Sequence, residues 1–154
     1  SQADVRLAVD TKPNDSARVI FDFNKQALAQ AMRARGLTSV VVTYSGCGDE
    51  GRTEGVAFEP ADVDEGLEPI VTAQMRYRWD EERACGGSEL VFADMHPRDI
   101  AEALCDTAIE MLGHGGYENN DGGQGTFTLH AINAEAELEH SDFYTESDTT
   151  THTL

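Results

Sequence analysis

Apolar residues at Val19, Ile20, Phe23, Ala27, Leu28, Ala31 and Met32 recur at three- and four-residue steps, with Arg18, Asp22, Lys25, Gln26 and Arg33 between them. This period predicts an amphipathic helix over 16–35. Asp15 or Ser16 would cap its start and Gly36 its end. The preceding residues are polar and include Pro13, which predicts a loose lead-in. After the helix comes a β-branched run, Val40, Val41 and Val42, and the glycine-rich turn 46–51 sends the chain back over 52–58. These two stretches read as a β-hairpin.

Residues 59–69 carry two prolines and five acids and read as a loop excursion. Next, Val71, Ala73, Met75, Tyr77 and Trp79 alternate with Thr72, Gln74, Arg76 and Arg78, the period of a strand. Its arginines, close to Asp80, Glu81 and Glu82, read as a surface ion-pair network. The segment 84–88 reads as a turn and 89–95 as a short extended piece. Pro97 suits the first turn of a second helix reaching about residue 112. Ile100, Ala101, Leu104, Cys105, Ala108, Met111 and Leu112 would form its buried stripe, with Asp99, Glu102, Asp106 and Glu110 on the other face.

Glycine ends that helix, a turn rich in Asn and Gly follows, and Phe127, Leu129 and Ala131 share one face of a strand starting at Thr126. A turn near Asn133 returns the chain over 135–142. There Ala136, Leu138 and His140 alternate with Glu135, Glu137 and Glu139, so the three carboxylates would project on one side at steps of about 6.8 Å. Phe143 and Tyr144 are expected to anchor the polar segment 145–154. The sum is an α+β fold: two helices packed on one face of a mostly antiparallel sheet. Residues 16–154 form a single domain after the lead-in, with the excursion at about 59–93 inside it.

Charge changes the picture more than size does. The 154 residues include 29 acids and 11 bases, a net charge of −18. Residues 99–154 hold 12 of the acids and no Lys or Arg. Such a surface repels nucleic-acid phosphates and attracts a basic partner, although acidity can also serve solubility alone. The chain shows no run of about 18 apolar residues and no basic-then-apolar N-terminus, which argues against a membrane span or secretory signal and predicts a cytoplasmic protein. Cys47, Cys85 and Cys105 lie 38 and 20 residues apart without CxxC spacing, so reduced thiols are expected, Cys105 inside a helix core.

Candidate chemistry is sparse. The turn 46–51 has no following helix and no Lys, and Asp49 and Glu50 would repel phosphate. An EF-hand register over 117–128 puts Tyr117 and Thr128 where carboxylates are needed, so the Asn and Gly residues read as turn formers. His96, His114, His130, His140 and His152 show no HxxxH or HxH spacing. No metal or cofactor is expected. His140 lies on the apolar side of its strand and reads as a satisfied, half-buried residue, and no nucleophile has an activating context.

Three runs carry a resemblance: 44–51 (YSGCGDEG), 114–125 (HGGYENNDGGQG) and 139–146 (EHSDFYTE). Together they resemble a small bacterial domain family of unknown function, the DUF6878-like proteins, over about 16–58 and 96–154, with the middle excursion unmatched. Tyr117 stands where the family usually has Trp, and Glu50 where it usually has Ser. The resemblance implies a fold and a place on phages or plasmids, and no established chemistry.

The functional expectation is a non-enzymatic acidic binding protein. It would act as an inhibitor or phosphate-mimicking partner of a basic nucleic-acid-binding protein, such as a defence or DNA-processing enzyme, without binding nucleic acid or membrane itself. Glu102, Asp106, Glu110, Glu135, Glu137, Glu139 and Asp142 would make the contact. The alternative is a small hydrolase or ligand-binding domain in which the two glycine-rich loops converge, with Gly48, Asp49, His114, Glu118, Asn120 and Asp121 at a pocket. A deep pocket favours the second reading, a flat acidic surface the first.

Overall fold

A computed structural model describes residues 1–48, 50–60, 67–118, 121–144 and 147–153. In chain order its elements are α1 (Gln2–Thr11), a 3-10 turn (Pro13–Asp15), α2 (Ser16–Ala34), β1 (Ser39–Cys47), β2 (Glu50–Glu59), β3 (Ile70–Asp80), β4 (Cys85–Met95), α3 (Pro97–Met111), β5 (Gly123–His130) and β6 (Ala136–Asp142). The fold is α+β, with every strand pairing antiparallel. The strands divide into a four-stranded sheet of order β2-β1-β5-β6 and a separate β3-β4 hairpin.

Alternation builds the main core. Val40, Val42 and Tyr44 of β1, Val56 and Phe58 of β2, and Phe127 and Leu129 of β5 bury one face of the sheet. Phe21, Leu28, Ala29 and Met32 of α2 and Ile100, Ala101, Leu104, Cys105, Ala108 and Ile109 of α3 join them in one cluster. Each large side chain fully buried there contributes roughly 1.5–3 kcal/mol. Gly36, at φ +74, lets the chain leave α2 in the left-handed conformation that other residues resist.

Several expectations change. The loose lead-in is helical: Ser1 and Asp4 form a reciprocal capping box, and Val5 and Val9 pack on Ala73 and Leu90 of the hairpin. The stretch 85–88 is paired strand rather than turn, opposite 77–80, and the turn is 81–84. Strand β5 starts at Gly123, three residues early, because the glycines there pair with β1 and β6. Leu112 ends outside the core at 59% exposure, since α3 stops at Met111. The Phe143 and Tyr144 side chains are exposed rather than packed, although the Phe143 N–H donates to the Gly122 carbonyl at 2.9 Å.

Asn24 ties the hairpin to α2. Its Nδ2 donates to the Ala73 carbonyl at 3.0 Å and its Oδ1 accepts from the Ala73 N–H at 2.8 Å, standing in for a neighbouring strand. Beyond that anchor the distal hairpin is exposed, with Met75, Tyr77 and Trp79 along one face. The arginines pair locally, Arg78 with Glu89 at 3.6 Å and Arg83 with Asp80 at 3.8 Å. Among the described residues no helix is long and apolar enough to cross a membrane.

Candidate functional site

The two glycine-rich segments converge at one end of the four-stranded sheet, on the side that the helices cover. Tyr44, Gly125 and His140 stand in one row across β1, β5 and β6. Because Gly125 has no side chain, the Tyr44 ring lies over it and the Tyr44 hydroxyl reaches His140 Nδ1 at 2.6 Å. His140 Nε2 lies 2.8 Å from Asp142 Oδ1, which leaves the His140 side chain only 3% exposed beside a carboxylate that is 69% exposed.

The loop after α3 closes this row. Gly113, at φ +81, lets its own N–H reach the Glu110 carbonyl and the His114 N–H reach the Ile109 carbonyl at 2.9 Å, a Schellman ending that turns His114 back over the sheet. The His114 ring stacks on His140 with centroids 4.2 Å apart, and Tyr117 meets Tyr44 edge-on at 5.1 Å. A Cβ at Gly122, φ +88, would collide with the Gly46 carbonyl and stand 2.9 Å from Cys47 Cα, so only glycine lets the loop come this close to the β1–β2 turn. Glu118 and Tyr117 also face Gly46 and Gly51 there.

Burial dominates the electrostatics. It pushes the Tyr44 hydroxyl up to about 12, helped by Cys105, Tyr117 and Asp142, so Tyr44 stays protonated. Burial and then Glu118 raise Tyr117. The Cys105 thiol, buried inside α3, is pushed up to about 12, while Cys47 and Cys85 are exposed and unpaired. Although Tyr44, His140 and Asp142 line up like a hydroxyl, a base and an orienting carboxylate, Tyr44 is 1% exposed and its hydroxyl resists ionisation. That chain ties β1 to β6 across the sheet, and the loop meets it through His114 and Tyr117; a protonated, buried Tyr44 hydroxyl is a poor nucleophile.

The expected loop residues therefore divide. His114 and Glu118 are half-buried in the closed loop, Asp121 is exposed, and Gly48 makes the β1–β2 turn at φ +60. Asp49 and Asn120 lie outside the described residues. His114 stacks on His140, and His96 caps α3, its Nδ1 accepting from the Arg98 N–H at 3.1 Å.

The expected contact residues also separate into three places. Glu102, Asp106 and Glu110 form a ladder on α3, where burial and then its two neighbours raise the Asp106 carboxyl. Glu137 and Glu139 project from the sheet face opposite the helices, where pairing sets Thr126 and Thr128 of β5 and Thr43 and Val41 of β1 beside them. Glu54, at the bulge in β2, bonds to the Ser45 hydroxyl on this face, and His130 lies 3.8 Å from Glu137. Glu135 is exposed just before β6 and shares the side of Glu137 and Glu139 by alternation. Asp142 falls on the helix-covered side with His140, so it leaves the acidic row. The open face has a shallow depression of about 210 Å³ lined by Thr43, Gln124, Thr126, Glu54, Glu139 and Ser141 among others.

Sequence comparison places this geometry in a family. Residues 20–154 match a family of unknown function (DUF6878), to which the chain belongs, and the match runs through the excursion that the motif runs left unmatched. The three runs that carry the resemblance supply Tyr44, His114 with Tyr117, and His140 with Asp142, the groups that meet at the closed loop. Neither a curated protein nor a solved structure matches the chain.

Proposed function

We propose that this DUF6878 member is a non-enzymatic binding protein whose open sheet face docks on a basic protein surface that otherwise receives nucleic-acid phosphates. The observation that carries the reading is the placement of Glu54, Glu137 and Glu139 on a strand surface of Thr, Ser and Gln side chains opposite the helices. Glu137 and Glu139 stand about 6.8 Å apart along β6, close to the spacing of successive phosphates on one strand. Carboxylates at that spacing would take the place of phosphates and raise the association rate through the long-range field. The closed, packed loop over Tyr44 and His140 weighs against the hydrolase alternative, which needs an open pocket at His114.

The experiment compares two charge-matched variants. Tagged wild type, E54Q/E137Q/E139Q and D80N/E81Q/E82Q are used to capture basic proteins from host lysate at low salt, followed by elution with duplex DNA. A nucleic-acid-binding protein retained by wild type and by the hairpin variant, lost by the sheet variant and displaced by DNA is the expected result. Equal retention by all three proteins would remove the sheet face from the account.

A further inference from the structure

Two histidines and a carboxylate from two separate elements meet where the loop closes on the sheet. One donor atom from each of His114, His140 and Asp142 lies within 4.8 Å of the others. We infer that these three side chains form a divalent transition-metal site, suited to zinc by its donors, which clasps the loop after α3 onto β6.

The geometry is close to what such an ion requires. Zinc binds imidazole nitrogen and carboxylate oxygen at about 2.0–2.2 Å, so tetrahedral donors stand roughly 3.3 Å apart. His140 Nε2 and Asp142 Oδ1 are already 2.8 Å apart, and the His114 ring is stacked 4.2 Å from that of His140. To share one ion the first pair would open slightly and the His114 donor, within 4.8 Å of both, would move inward. Two imidazoles select zinc, cobalt or nickel over magnesium or calcium, which prefer all-oxygen sites.

The surroundings support metal binding independently of these distances. The Tyr44 hydroxyl lies 2.6 Å from His140 Nδ1; with an ion on Nε2, Nδ1 would carry the proton and donate to the Tyr44 oxygen, an outer-shell hydrogen bond that fixes the ring. His114 is half-buried, yet its ring makes no hydrogen bond to any described residue, only the stacking contact. A hydrogen-bonded chain of Tyr44, His140 and Asp142 alone leaves that ring unexplained. An ion uses it. The local field favours a cation: Glu118 and Asp106 act on the adjacent Tyr117, and no Lys or Arg follows Arg98. The fourth position would belong to water or to an outside ligand.

The test uses Co²⁺ and Zn²⁺ on the full chain after removal of metal by chelation, in a C47S/C85S background that takes the exposed thiols out of competition. Co²⁺ should bind at one equivalent and give visible absorption of tetrahedral nitrogen–oxygen coordination. Zn²⁺ should displace it and raise the melting temperature, whereas Mg²⁺ should do neither. H114A, at a half-buried loop position, should abolish the Co²⁺ bands. D142N, at an exposed carboxylate, should weaken binding at least tenfold, and Y44F should weaken it about 10–100-fold through the outer shell. Circular dichroism of each metal-free variant establishes that it remains folded. Absence of Co²⁺ bands in the folded parent, or one-equivalent binding that survives H114A and D142N unchanged, would overturn the assignment.

Discussion

Gly125→Ala tests whether the missing side chain on the central strand joins Tyr44 to His140. A Cβ built at Gly125 collides with the Glu139 carbonyl of the neighbouring strand and with the Tyr44 hydroxyl, and stands 2.6 Å from Tyr44 Cζ. The first obstacle is backbone and cannot rotate away. The second can move only by giving up the bond to His140. Overpacking of this kind costs about 1–3 kcal/mol, and an orphaned buried hydroxyl and imidazole add roughly 1–3 kcal/mol. For a chain of this length each kcal/mol shifts the midpoint by about 2–4 °C, so a combined cost of about 2–6 kcal/mol should lower the melting point by roughly 4–24 °C. Gly55→Ala is the control. That glycine also sits in a strand, but nothing lies within 4 Å of the Cβ it would gain. Both substitutions restrict the unfolded chain equally, so Gly55→Ala should be neutral or stabilising by about 0.5–1 kcal/mol. Tyr44→Phe isolates the hydrogen-bond share and should cost about 1–2 kcal/mol. Thermal and urea unfolding followed by circular dichroism reads all three. A Gly125→Ala protein that melts with or above wild type would refute the packing account.

Two further substitutions probe the hairpin anchor and the acidic ladder. Asn24→Ala strips both partners from the Ala73 backbone at a residue 1% exposed, at a cost of about 2–4 kcal/mol, and the Ala73 amide should lose protection in hydrogen exchange; unchanged protection would mean that Asn24 does not hold the hairpin. Asp106→Asn relieves two like-charge contacts one helical turn apart, so it should stabilise by roughly 0.5–1 kcal/mol at neutral pH. Because the folded state holds the Asp106 proton more tightly than the unfolded chain, stability falls as pH rises from the ordinary value of 3.8 through the raised one, and the advantage of the variant should vanish in acid. A benefit of equal size on both sides of that window would point to a cause other than charge.

How much of this was legible follows from the range of each signal. Helices α2 and α3 and strands β1, β2, β5 and β6 announce themselves through local period, and the core they form is the one that period implies. Helix α1 was hidden because ten polar-rich residues are marginal as an isolated helix; its stability comes from Val5 and Val9 meeting Ala73 and Leu90, far away in sequence. The Ser1 to Asp4 capping box was the available signal. The stretch 84–88 reads as a turn in sequence, yet Gly86 is in strand, where the Tyr77 ring covers it from the facing strand. At the site, strand parity already put His140 and Asp142 on one side, which removes Asp142 from the acidic row. The meeting of His114 with His140 was not legible from spacing, since a Schellman turn and a sheet pairing bring them together.

The charge imbalance acquires direction once it is placed on the fold. Residues 1–34, which build α1 and α2, carry five bases against four acids, while the strands of the main sheet carry six acids against one base, Arg52. Acidity kept for solubility alone has no reason to respect that division, because colloidal repulsion depends on net charge and scarcely on location. Acidity kept for docking does, because a polarised molecule turns its negative face toward a basic target before contact, and the benefit is lost when the same charges sit elsewhere. Helix α3, with four acids against Arg98, adds to the negative side of this division although it packs beside α2. Like charges on the edge strand β6 discourage pairing with a second copy of the chain, so under the proposed docking role the same charges would also keep that edge free.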